Sequence, residues 1–259
     1  NINMTLNNDT ILNIPVIKVE HSLYKLIYRR IHIDKLLVDS PKIHLFQDSS
    51  GWNFAKIVAE TNLNEQPDTV EEDGYAFGFD VYLGELEINN GGIKITSSNS
   101  SIPDKLESVT LNARGNYNGN DWEFVLDKLS FNSINPGLNL NELSFQANQS
   151  GRRLSIDDLI ITTSKNNFSG NATLNSMDSI EIDIESESLV LSEFEEFVPI
   201  PEMKLHPKLS LNVDVNNDTL VSRIELITPE QRINANVNIE YFSSLLERKD
   251  SLIDYSIDL

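Results

Sequence analysis

The sequence predicts an all-β fold with one or two short helices: an elongated antiparallel sheet forming a repeating, taco-like β-groove. Three observations lead there. From about residue 75 to the end, apolar residues recur at every second position. Each run is punctuated by Asn, Gly, Pro or Asp. Too few helical stretches exist to roof the apolar face that this alternation creates. A β-sandwich or solenoid closed on itself is the alternative.

The elements follow in order. Ile14–Val19 reads as a strand beginning at Pro15, and Ser22 then caps a short helix whose Leu23, Leu26 and Ile27 make one apolar face. Ile31, Ile33 and, after a bulge near Leu36, Val38 carry the next strand toward the most distinctive stretch, 40–56. There Ile43 and Leu45 lie on one strand face, and Asp48-Ser49-Ser50-Gly51 is a tight reversal. Trp52 and Phe54 read as an aromatic plug, with Asn53 as the N-cap of a helix through Phe54, Ile57 and Val58. Gly51, Trp52 and Asn53 are thus candidates for structural, not catalytic, roles. Residues 64–74 form an acidic loop too polar to bury much surface, expected to be poorly ordered. The chain divides into a strand-helix-strand segment (1–63), this loop (64–74) and a repeating sheet (75–259).

In the repeating part, Leu86 and Ile88 precede Asn89-Asn90-Gly91-Gly92, and Ile93 and Ile95 follow, as in a hairpin. Val109, Leu111 and Ala113 turn at Asn118-Gly119-Asn120 into Trp122, Phe124 and Leu126. Later runs include Leu143 to Ala147, Leu154 to Ile161, Ile180 to Ile184, and Leu209, Leu211, Val213 and Val215. The one interruption, Leu191 to Val198, has apolar residues three and four apart and reads as a helical turn ended by Pro199 and Pro201. By parity, Val109, Leu111, Ala113, Trp122, Phe124, Leu126, Leu209, Leu211 and Val213 share one apolar face. Glu181, Asp183, Glu185, Asn212 and Asp214 belong to the opposite, water-facing side.

Composition narrows the function. Lys and Arg number 20 against 40 Asp and Glu, a net charge of −20 that repels nucleic acid and anionic headgroups alike. Without cysteine there is no disulfide, thiolate nucleophile or cysteine-based zinc site. His21, His32, His44 and His206 have no second ligand at metal-binding spacing, so no metal or cofactor is expected. No nucleophile elbow, Walker loop or dinucleotide fingerprint occurs, and carboxylate doublets such as Asp157-Asp158 carry no specificity alone, so the chain is read as no enzyme. It starts at Asn1, and its last alternating run is still in progress at Leu259, from which a longer protein with an upstream targeting segment or membrane anchor is expected.

Pro41, Ile43, Leu45, Gly51 and Asn53, then an acidic loop, then a strand ending in Asn90-Gly91, resemble the AsmA-like superfamily of bacterial envelope proteins, most closely its TamB branch, the inner-membrane subunit of the translocation and assembly module. The match covers about Ile14 to Thr96. The family often has an Asp where this chain has Thr96-Ser97, and later repeats match only as alternating strands. The resemblance implies a periplasm-spanning groove, tethered to the inner membrane, that carries phospholipid acyl chains toward the outer membrane. It also implies, for TamB-like members, a role in β-barrel protein assembly with an Omp85-type outer-membrane partner. The competing reading is a closed β-rich binding or adhesion module.

Overall fold

The computed structural model describes residues 1–6, 9–48, 51–55, 79–97, 99, 101–119, 121–176, 179–197, 205–216, 218–240 and 255–258. The expectation for 64–74 therefore lies outside the described residues, as do the later part of the helix expected through Val58 and the prolines expected to end the 191–198 turn.

Strands β1 (Ile2–Leu6) and β2 (Asp9–Ile14) pair antiparallel, and the chain passes Pro15 into β3 (Val16–His21). A 3₁₀ helix, Leu23–Tyr28, leads into β4 (Arg30–Asp39), β5 (Lys42–Asp48) and the two-residue β6 (Gly51–Trp52). The longest strand is β7 (Asp80–Thr96). From it, antiparallel pairing runs in chain order through β8 (Lys105–Tyr117), β9 (Trp122–Ile134), β10 (Leu138–Ser150), β11 (Arg153–Thr163) and β12 (Asn167–Ser176). It continues through β13 (Ser179–Ser186), β14 (Lys208–Asn216), β15 (Thr219–Ile227), β16 (Arg232–Glu240) and β17 (Tyr255–Asp258).

The result is one long sheet, not closed into a barrel. Among the described residues β1, β3 and β17 each have a register on one side only. The sheet is mixed: β4 and β5 both pair parallel with β7, end to end along one of its edges. Parallel pairing is possible because a long excursion separates the strands, as any parallel connection requires.

This arrangement corrects the hairpin expected at Asn89–Gly92. β7 runs straight through that stretch, with Asn90 in a left-handed bulge (φ 52°) that Asn tolerates better than most residues. The opposing chain breaks at the same level, where Ser40 (φ 50°) and Pro41 separate β4 from β5. Backbone bonds from Ser40 N to Asn89 O (2.7 Å) and from Gly92 N to Pro41 O (2.8 Å) bridge the interruption. A Cβ on Gly91 would lie 3.4 Å from Pro41 Cγ and 3.3 Å from Val109 Cβ, so glycine suits this crossing. Asn-Gly, a turn signal when the chain reverses, here marks two matched interruptions in neighbouring strands.

A second row of irregularities crosses the middle of the sheet. Register slips occur at Asp34 in β4, Gly84 and Glu85 in β7, Asp127 and Lys128 in β9, and Asp157 and Asp158 in β11. The intervening β8 and β12 carry glycine at this level, Gly115 opposite Leu83 and Gly170 opposite Leu159. Bulges bend the strand that contains them, and glycine lets a neighbouring backbone approach. Their alignment across the sheet makes a line, the crease, perpendicular to the strands, built from the devices along which sheets bend.

Candidate functional site

Register places large apolar side chains opposite one another in strand after strand. Ile17 lies opposite Val38, Val38 opposite Ile88, Ile88 opposite Leu111, and Leu111 opposite Leu129. The same row continues through Leu143, Ile161 and Phe168. A further row passes from Leu154 through Leu174, Ile180, Val215 and Leu220 to Ile239. The opposite face has its own row: Asn171, Asp183, Asn212, Arg223 and Asn236. Because residues directly opposite share a face, these rows define one apolar and one polar surface along the whole sheet.

All nine residues expected on the apolar face lie on it. Val109, Ala113 and Leu126 are buried, at 9%, 0% and 5% exposure, while Leu111, Trp122, Phe124, Leu209, Leu211 and Val213 are half-buried. Ala113 pairs with Leu86 and Leu126, at the level of the crease. Phe124 and Phe145 approach with ring centroids 6.0 Å apart, and Trp122 Nε1 donates to Gln149 Oε1. This is crowding by neighbours on the same sheet, with no second sheet above among the described residues. The largest described side chains under 2% exposed are Asn53 and Pro207, neither of them the aliphatic or aromatic residue that a dry core would bury first.

One segment does reach over this face. After β13 the chain forms a 3₁₀ turn, Leu191–Glu193, and lies along the rim made by the β9–β10 and β11–β12 turns. Buried Asn166 grips it from both sides, donating to Val190 O (3.1 Å) and accepting from Val190 N (2.6 Å). Glu193 accepts from Lys165 N (3.1 Å) and from the side chains of Thr163 and Asn166, while Glu196 accepts from Gly137 N (2.7 Å). Leu189 is buried, and Phe194 reaches Phe168 with centroids 6.5 Å apart. The sequence indicates a helical turn here, as found; its docking partners are far away in the chain and leave no local signal.

The plug is built differently from expectation. Trp52 pairs with Gln47 in the β5–β6 reversal, as the turn chemistry predicts, and stacks on Phe54 at 6.1 Å. Phe54 itself is half exposed, so it plugs nothing by itself. Asn53 is the first of the described helical residues 53–55, and its side chain turns back to β5: its Oδ1 accepts from Phe46 N (3.1 Å) and its Nδ2 donates to His44 O (2.9 Å). β2 pairs with β5 only at Lys42 and Ile43, and beyond them the Asn53 amide replaces a neighbouring strand. Burial at 1% makes that replacement important. Asn53→Ala would leave one buried donor and one buried acceptor without partners, and should lower stability by about 1–3 kcal/mol, measured by denaturant unfolding. Asn53→Asp should cost a similar amount, since a carboxylate cannot donate to His44 O.

The polar face offers structure rather than chemistry. Lys35 bridges Glu85 (3.1 Å) and Glu87 (2.7 Å) across the parallel β4–β7 pair. Glu87 is held below the ordinary carboxylate range by the Lys35 ammonium and by Asn89, and Lys35 is raised by the same two carboxylates. His32 stacks on Tyr82 at 4.4 Å, and His44 contacts Thr96 at 3.1 Å. The Asp157-Asp158 doublet is a bulge, with Asp158 at φ 54° and its N–H donated to Asn171 Oδ1. Among the described residues no group of three His, Asp or Glu side chains is placed to hold a metal, and no helix is long and apolar enough to cross a membrane.

Compared with protein-family models, curated proteins and solved structures, the chain matches none. The residues themselves therefore carry the functional argument.

Proposed function

We propose that this chain is a segment of a non-enzymatic conduit that shields phospholipid acyl chains in its apolar trough, within the bacterial cell envelope and between the inner and outer membranes. The observation that supports the reading is the continuous apolar face with no packed layer opposite it among the described residues. A soluble sheet with such a face needs something to cover it. An acyl chain fits the requirement because each buried methylene contributes about 0.8 kcal/mol without any directional contact. The mainly aliphatic lining of the rows suits a passage, where a ligand must slide and leave, better than a storage pocket. In this reading the headgroup stays in water at the open rim, and the acidic outer face keeps the assembly soluble.

A second reading is favoured by the edge of β3, whose residues are all exposed and which pairs on one side only among the described residues. An unpaired edge can accept a strand from another protein, as a scaffold for outer-membrane β-barrel assembly with an Omp85-type partner would require.

The test is to purify the chain, extract it with organic solvent and analyse the extract by mass spectrometry. Phospholipid in amounts comparable to the protein, and uptake of a fluorescent fatty-acyl probe by the stripped protein, are expected. A lipid-free extract together with no probe uptake would overturn the conduit reading and leave the closed binding module.

A further inference from the structure

The 3₁₀ helix between β3 and β4 carries Leu23, Leu26 and Ile27, and none of its residues is buried. Leu23, Tyr24, Ile27 and Tyr28 are 64%, 66%, 81% and 69% exposed, more than any other large hydrophobic side chain described. Leu26 is also exposed. The helix is held at the rim by a backbone bond from Ser22 N to His32 O (3.1 Å) and by Lys25 Nζ against His32 Nε2 (2.9 Å). Neither uses the apolar side chains. Asp80 N donates to Arg29 O (3.0 Å), which brings the exposed Phe79 beside the end of the helix.

The charge around this patch is opposite to that of the chain. Between residues 18 and 30 stand Lys18, Lys25, Arg29 and Arg30 against Glu20, in a protein whose net charge is −20; Arg30 is paired with Asp80 (3.2 Å) and Asp34 lies against His32 (3.0 Å), which leaves Lys18, Lys25 and Arg29 as the cations of the patch. At physiological ionic strength the screening length is about 8 Å, so such an island acts on what touches it while distant carboxylates are damped. Aliphatic residues that can insert, tyrosines that favour the headgroup level, and adjacent Lys and Arg are the combination that binds an anionic bilayer surface. A second copy of the chain is a poorer occupant, because a two-fold contact would set this basic island against itself.

We propose that the Leu23–Tyr28 helix, with Lys25 and Arg29, docks on an anionic phospholipid surface. The helix adjoins strand β3, which among the described residues pairs only with β4, so docking brings this end of the sheet to the membrane. The site is separate from the trough and does not depend on what the trough carries.

The experiment is vesicle co-sedimentation of the full chain with phosphatidylcholine vesicles, with or without phosphatidylglycerol. Preferential binding to the anionic vesicles, weakening with added salt, is expected. Ile27→Asp, at a side chain too exposed to matter for folding, should reduce binding at least tenfold, and Arg29→Gln about fivefold. Leu111→Asp, in the trough, should bind as the unaltered protein does. The proposal is overturned if the unaltered chain ignores anionic vesicles, or if Ile27→Asp binds them undiminished. Loss of binding in Leu111→Asp but not in Ile27→Asp would assign the association to the trough instead. Self-association that Ile27→Asp abolishes, with no vesicle binding, would assign the patch to a second copy of the chain.

Discussion

Gly170→Val should be the most damaging single change in the sheet, lowering stability by about 3 kcal/mol or more and the unfolding midpoint by roughly 6–12 °C. A Cβ at Gly170 would stand 2.2 Å from the carbonyl oxygen of Asp183 and 3.2 Å from Ile184 Cα, both on the neighbouring strand β13. Neither atom is the end of a flexible side chain, so relief requires β12 and β13 to separate where Gly170 pairs with Ile184. The strain falls on the line of bulges that creases the sheet, at the level of the Asp157-Asp158 slip in β11. Gly92→Ala is the control. Its Cβ would meet nothing nearer than Leu106 O at 4.0 Å, and it should shift the midpoint by no more than about a degree or two. If Gly170→Val melts with the unaltered protein, the close approach of β12 to β13 is not a feature of the molecule in solution.

Leu111→Asp should abolish lipid retention while leaving the fold largely in place. Leu111 is half-buried in the apolar row between Ile88 and Leu129, so an empty trough still lets water reach a carboxylate there. Lost burial then costs about 1–2 kcal/mol, a midpoint shift of a few degrees. With an acyl chain alongside, the same carboxylate must give up its water or take a proton, at several kcal/mol, which corresponds to a loss of roughly a hundredfold or more in lipid affinity. Asn112→Asp provides the comparison: Asn112 lies on the polar face opposite Glu87 and Lys128, and its variant should keep its lipid. Lipid in the organic extract and the thermal unfolding midpoint are the two readouts. Outright unfolding of Leu111→Asp would mean that the face is a packed core, and equal lipid in both variants would mean that the trough lies elsewhere.

Both expectations start from parity, and parity is a local property of the chain. A strand sends successive side chains to opposite faces, so the sharing of one face by Leu209, Leu211 and Val213 could be read before any partner was known. Turn chemistry is local as well, which is why Asn118-Gly119 and Ser150-Gly151 were legible as the reversals after β8 and β10. The same rule misread Asn90-Gly91. A left-handed residue serves a bulge as readily as a turn, and only the presence of Pro41 on the adjacent strand distinguishes the two.

What the chain could not disclose is which strand lies beside which when the neighbours are remote in sequence. The parallel seating of β4 and β5 on β7 was of this kind, as was the use of Asn53 as a substitute strand partner. So were the alignment of separate bulges into one crease and the docking of Glu193 and Phe194 at the rim. The exposure of Leu23 to Tyr28 belongs with them: periodicity predicts that a helix has an apolar face, but burial depends on whether another element arrives to cover it. Backbone preference and side-chain alternation act over a few residues, and these fixed the strands and their two faces. Pairing, curvature and cover are set by contacts between segments tens of residues apart, so they were decided only when the sheet was assembled.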